Sequence, residues 1–154
     1  LPLGFSSRCE LVDMWVEGET DLANLPASLQ EAVPPGLTIL NVASVDEKSP
    51  PLQTQVQSAE YMVDLPQECD YSQLDQKVSA LLQTASLPRE RRGKPYDLRP
   101  LIEQMNILEE IKLFMRLSSR EGATGRPEEV LDALGLPLDG TRIERTQLIF
   151  KDPV

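Results

Sequence analysis

Arg89, Arg91, Arg92, Lys94 and Arg99 all fall within Leu87–Glu103, LPRERRGKPYDLRPLIE, in a chain whose net charge is −10. Cations this dense do one kind of chemistry without help: they bind oxyanions, phosphate or carboxylate, through charge and the planar fork of the guanidinium. Tyr96 follows the run and offers a ring on which a base could stack. A second group, Lys112, Phe114 and Arg116, alternates along an apolar stretch, so the three share one side of a strand. A cationic pair around an exposed aromatic is how RNA-recognition sheets stack bases. Each group admits a plainer reading. The first is then a solvated or salt-bridged turn, and the second a covered face with Phe114 in the core. Asp97 and Arg99, two apart, also share a side, and either bind a polar ligand or form a surface ion pair. Glu109-Glu110 and Glu128-Glu129 are adjacent in sequence and poorly placed to share a site, so a solvated role is expected for them.

Other chemistries are excluded by residue type. The chain has no histidine, hence no Ser-His-Asp triad and no Cys-His dyad. Its two cysteines, Cys9 and Cys69, are too few for the usual zinc or iron–sulfur ligand set and are read as small core residues. No nucleophile motif or phosphate loop is present, so no cofactor, no metal and no catalysis by this chain alone is expected.

With 154 residues, the chain is one ordinary domain or two small ones. No apolar run is long enough to span a bilayer and no signal peptide opens the chain. A soluble, cytoplasmic protein without membrane contact is therefore expected. The opening Leu-Pro-Leu-Gly, without an initiating Met, is expected to begin inside something larger. Residues 1–88 hold three basic side chains against thirteen acidic ones, whereas residues 89–154 hold twelve of each. The first part should repel a phosphate backbone, and the second can approach one through local patches.

Those groups must be positioned by periodic elements. Leu1–Gly4 reads as the tail of a strand and Phe5–Arg8 as a turn. Strands are predicted over Leu11–Val16, with Trp15 as a packing residue, and over Leu37–Val45. Between them Pro26 opens a helix that runs to Val33 and stops before Pro34-Pro35-Gly36. Asp46–Pro51 is a linker by composition. In Ser58–Leu65, residues Ala59, Tyr61, Val63 and Leu65 alternate with Glu60, Met62 and Asp64, which predicts a half-buried strand. A helix is predicted from Asp70, with Asp70 and Gln73 as a capping box and Cys69 stapled to Leu74, ending before Pro88. Arg89–Arg92 and Tyr96–Ile102 form two arms of a hairpin around Gly93-Lys94-Pro95. Ile111, Leu113, Met115 and Leu117 alternate with Lys112, Phe114, Arg116 and Ser118 as another strand. After a loop at Glu121–Gly125, Pro127 starts a short helix with Glu128 and Glu129 in its first turn and Gly135 at its end. Thr141–Phe150 is the last strand.

From residue 58 the order is strand, helix, extended arm, strand, helix, strand, the βαββαβ order of a ferredoxin-like domain. Before residue 46 the order matches the second half of that pattern. The predicted fold is α+β: two tandem ferredoxin-like units with antiparallel sheets and helices on one face. The first, 1–46, lacks its opening strand and helix. The second spans 58–150, with the basic arm at 87–103. In this arrangement Arg99 and Met62 join Lys112, Phe114 and Arg116 on the open sheet face.

The segments LPLGFSSRCELVDMWVE, LQTQVQSAEYMVDL, RRGKPYDLRPLI and GRPEEVLDALGL, in that order, resemble the bacterial radical-SAM-linked family. This is a domain of unknown function attached to, or encoded beside, radical S-adenosylmethionine proteins. The most specific pieces are Asp97-Leu98-Arg99-Pro100 and Arg126-Pro127-Glu128-Glu129-Val130-Leu131. Family members usually carry more chain before the position of Leu1. The resemblance implies an accessory role beside a radical SAM enzyme, in cis or in trans. It does not imply radical chemistry here, since the cluster motif Cys-x3-Cys-x2-Cys is absent from the sequence. The family's association with RNA-processing genes implies an RNA substrate. Two functions are therefore carried forward: a recognition domain presenting RNA to the radical enzyme, or a docking domain for that enzyme with no nucleic-acid contact.

Overall fold

The computed structural model describes residues 4–68, 70–109 and 111–151. It divides into two units, one built from 1–11 with 52–154 and the other from 12–51.

The larger unit is organised around strand β2, Val56–Asp64. Its alternation works as the sequence implies: Ala59, Tyr61 and Val63 are buried, and Glu60, Met62 and Asp64 on the other face are only half-buried. β2 is flanked by two antiparallel neighbours, β6 (Lys112–Arg120) and β8 (Arg142–Phe150). β5 (Ile102–Glu109) pairs antiparallel with the far side of β6, and β1 (Phe5–Ser7) pairs parallel with the far side of β8. The order across the sheet is β1-β8-β2-β6-β5, and a short β7 (Ala123–Thr124) folds back on the end of β6. The class is thus α+β with a mainly antiparallel sheet.

Both crossover helices bury their apolar stripes in one core. Leu74, Val78 and Leu81 of α3 (Leu74–Gln83) and Val130, Leu131 and Leu134 of α4 (Pro127–Leu134) join Val63, Leu113, Met115 and Leu117 of the sheet. Each such side chain contributes about 1.5–3 kcal/mol when removed from water. α4 begins at Pro127, as its missing N–H allows, and ends at Gly135, whose φ of 67° is left-handed. α3 starts later than its acidic preface suggests. Asp70 accepts the Ser72 N–H at 2.9 Å in a tight local turn, so it caps that turn and not the helix. Cys69, and with it the predicted staple, lies outside the described residues, as do Leu1–Leu3.

The chain before β2 departs from expectation. Phe5–Ser7, read as a turn, is a strand, because its backbone completes the edge of β8. The predicted strands Leu11–Val16 and Leu37–Val45, on which the first of the tandem units rested, are not formed. Neither has a neighbouring strand, and strand propensity without a ladder leaves the backbone groups unpaired. Trp15, expected to pack, is 85% exposed. In the unit 12–51 only the helix α1 (Leu25–Ala32) is regular, followed at the boundary by a one-turn α2 (Leu52–Gln55) where a linker was expected to end.

Candidate functional site

The basic run folds into a two-stranded hairpin, β3 (Pro88–Arg91) with β4 (Lys94–Asp97). The turn is two residues, Arg92-Gly93, with φ of 52° and 74°. Positive φ at both positions is the condition of a type I′ turn, whose twist matches that of the flanking strands. Gly93 meets this condition freely, whereas Arg92 does so at a cost of about 1 kcal/mol or more, because its Cβ crowds the carbonyl. The second arm is shorter than predicted. It stops at Asp97, and a 3-10 turn, Arg99–Leu101, carries the chain into β5.

A strand has two sides, and the run of cations is split between them. Arg89 and Arg91 face α4, where Asp132 and Glu129 stand three residues apart on one helix face. Arg91 grips Glu129 with both forks, its Nε 3.0 Å from Oε1 and its Nη2 on Oε2. The same guanidinium donates to the Thr124 carbonyl at 3.0 and 3.1 Å and lies 4.7 Å from the Tyr96 ring centre. Burial pushes the Glu129 carboxyl up, but hydrogen bonds from Arg91 and Tyr96 outweigh it, and the group stays below its ordinary range. Burial also raises the Tyr96 hydroxyl. Arg89 reaches Asp132 at 3.6 Å, with its Nε buried and unpartnered. Glu129, expected to be solvated, is therefore the anchor of the hairpin. The sequence signal that could have found it is the match between alternate cations on a strand and acids one turn apart on a helix.

Asp97 and Arg99 do not pair with each other. Asp97 accepts the backbone N–H of Leu87 at 2.7 Å and of Arg99 at 3.0 Å, which hold its carboxyl below the ordinary value. Arg99 turns back to the end of α3, donating to the Leu82 carbonyl at 2.7 and 3.2 Å and to Ile102 at 3.0 Å. A cation at a helix C-terminus satisfies carbonyls that lack intrahelical donors. Asp97-Leu98-Arg99-Pro100 is thus a structural clasp, and Arg99 is not on the open sheet face where it was expected.

Lys112, Phe114 and Arg116 do share the sheet face opposite the core, and all three are half-buried. Met62 stands beside Phe114 on β2 and Asn106 on β5, with Glu144 one strand further, opposite Met62. Arg116 is bound to Glu60 at 2.6 and 3.0 Å. Asp64 stands opposite both Lys112 and Arg142. This face therefore alternates cations with carboxylates and is not a basic platform.

Of the nine sequence candidates, Arg92 and Lys94 are exposed at the hairpin tip, and Arg89, Arg91, Tyr96, Arg99 and Arg116 are engaged within the fold. Among the described residues no group of three or more acidic, cysteine or histidine side chains could hold a metal, and no helix is long and apolar enough to cross a membrane.

The site is carried by an α+β domain with a clasped, charged hairpin. Over residues 1–127 the chain matches a family described as uncharacterized proteins conserved in bacteria, DUF2344, and it belongs to that family. No curated protein matches it, and no solved structure does.

Proposed function

We propose that this chain is an accessory domain that docks a radical SAM enzyme, in cis or in trans, with the tip Arg92-Gly93-Lys94 as its contact. The observation that carries this is Arg92 itself. Its positive φ favours Gly or Asn, yet an arginine sits there, exposed, directly after Arg91, the residue that pins the hairpin to α4. A rigid finger with two cations at its end loses little entropy on meeting a carboxylate pair, and so suits a protein surface. The resemblance of RRGKPYDLRPLI and GRPEEVLDALGL to radical-SAM-linked proteins supports the choice of partner. The reading takes 58–150 as a ferredoxin-like unit. It rests on strand order β8-β2-β6-β5 and on α3 and α4 as the two crossovers.

Presentation of RNA is the second reading, favoured by Phe114 between Lys112 and Arg116 on the face opposite the helices. Interleaved Glu60, Asp64 and Glu144 weaken it, since carboxylates repel phosphate. The experiment is charge reversal, Arg92→Glu with Lys94→Glu. The docking reading expects affinity for a radical SAM enzyme to fall at least about tenfold, a change of about 1.4 kcal/mol. Unchanged enzyme binding sinks it. Salt-dependent binding of single-stranded RNA, lost in Phe114→Ala, would favour the second reading instead.

A further inference from the structure

The unit 12–51 holds no buried residue, yet it displays Val12, Met14, Trp15, Val16, Leu37 and Leu40 at 51–85% exposure. Two of its stretches, 12–16 and 37–45, have strand composition. Among the described residues, no backbone hydrogen bond joins 12–16 or 40–45 to another segment. At 37–39 the ladder is imitated. The Gln30 carboxamide donates to the Leu37 carbonyl at 3.0 Å and accepts the Ile39 N–H at 2.8 Å. Those are the two bonds that one residue of a parallel neighbouring strand would make around Thr38 with its own N–H and C=O. The backbone here is thus arranged to receive a strand, and a side chain holds the place of part of one.

Charge selects what that strand is. Within 12–51 seven carboxylates stand against a single cation, Lys48. The same unit of a second copy would bring the same negative charge to the contact, and so would a nucleic acid or an anionic membrane surface. We infer that this unit is completed by strand addition, and that its occupant is an extended, basic and apolar polypeptide segment supplied by a partner protein. Main-chain bonds provide affinity, apolar side chains of the incoming strand cover Val12, Met14 and Val16 on one face, and its cations meet Asp13 and Glu17 on the other, their aliphatic stems covering Trp15 between them. The inference does not depend on the docking role of the hairpin tip.

Trp15 is the only tryptophan, so its emission reports on this unit alone. The probe is a short peptide of alternating valine and lysine, titrated into the full chain, with a valine–glutamate peptide as the counterpart. The expected result is a shift of Trp15 emission to shorter wavelength with the basic peptide only. Amide protection should appear at 12–16 and 40–45, and affinity should fall about tenfold between about 0.05 M and about 0.5 M salt as the ionic screening length shrinks. The double variant Val12→Ser, Leu40→Ser should lose the shift while amide protection of β2 is unchanged. Absence of a shift with the basic peptide overturns the inference. So does an equal shift with the acidic peptide, a shift that persists in the double variant, or a shift on self-association without peptide.

Discussion

The Arg91 guanidinium and the Glu129 carboxylate meet fork to fork, and this contact, with Arg89 and Asp132 beside it, ties the hairpin to α4. The two side chains are 25% and 18% exposed, so water screens the pair only in part. Breaking it from one side strands the other charge. Arg91→Met should cost about 1–3 kcal/mol, more than an exposed ion pair would. In a double-mutant cycle with Glu129→Gln the two losses should be non-additive. Additive losses in urea unfolding would show that the pair carries no coupling.

Acid should loosen the same contact. The folded Glu129 carboxyl ionises below its ordinary value of 4.5, so its contribution is complete at neutral pH and drains as the pH falls through the lower, folded value. Asp97, held down by the Leu87 and Arg99 amides, titrates in the same direction. The urea midpoint should therefore decline below about pH 4, and less steeply in Glu129→Gln. An identical acid limb in that variant would remove Glu129 from the account.

Arg99→Lys should not be a mild change. The ammonium cannot bridge Leu82 and Ile102 as the fork does, and one carbonyl at the end of α3 loses its donor. A loss of about 1–2 kcal/mol is expected, with amide exchange fastest in the last turn of α3. Unaltered exchange there would count against the clasp.

Gly125 is sterically required. A Cβ at this position would stand 3.0 Å from the Leu101 carbonyl oxygen and 3.2 Å from the Cβ atoms of Leu101 and Leu117. Those neighbours are core and backbone, which give way reluctantly, so Gly125→Ala should destabilise by about 1–3 kcal/mol. A neutral result in thermal unfolding would mean that the β7 turn relaxes.

Arg92→Asn should separate stability from function. Asn tolerates positive φ better than Arg, so the variant should gain up to about 1 kcal/mol. Under the proposed docking role, binding of a radical SAM enzyme should weaken at the same time. A variant no more stable than the parent would remove the argument from strain.

Much of the second half was legible because its signals are local. The alternation in Ser58–Leu65 and Ile111–Leu117, Pro127 at the start of α4 and Gly135 at its end each predict what forms. β5 was missed beyond Ile102 because Gln104 and Asn106 break the composition of a strand. Its pairing to β6 comes from tertiary context. The commitments of Arg91 and Arg99 have no local signal: their partners, Glu129 and the Leu82 carbonyl, lie 38 and 17 residues away. The strands expected at Leu11–Val16 and Leu37–Val45 show the converse, local preference without a neighbour to satisfy it.

β2 is translated before every strand it pairs with. Its two neighbours, β6 and β8, begin at Lys112 and Arg142, and β1 waits for the same last strand. A nascent chain must therefore hold β2, with its buried face of Ala59, Tyr61 and Val63, unpaired until β6 is made, and one of its edges open until β8 follows. Truncation within β8 would leave both β1 and one side of β2 without a mate, which makes synthesis of β8 a checkpoint for the entire sheet.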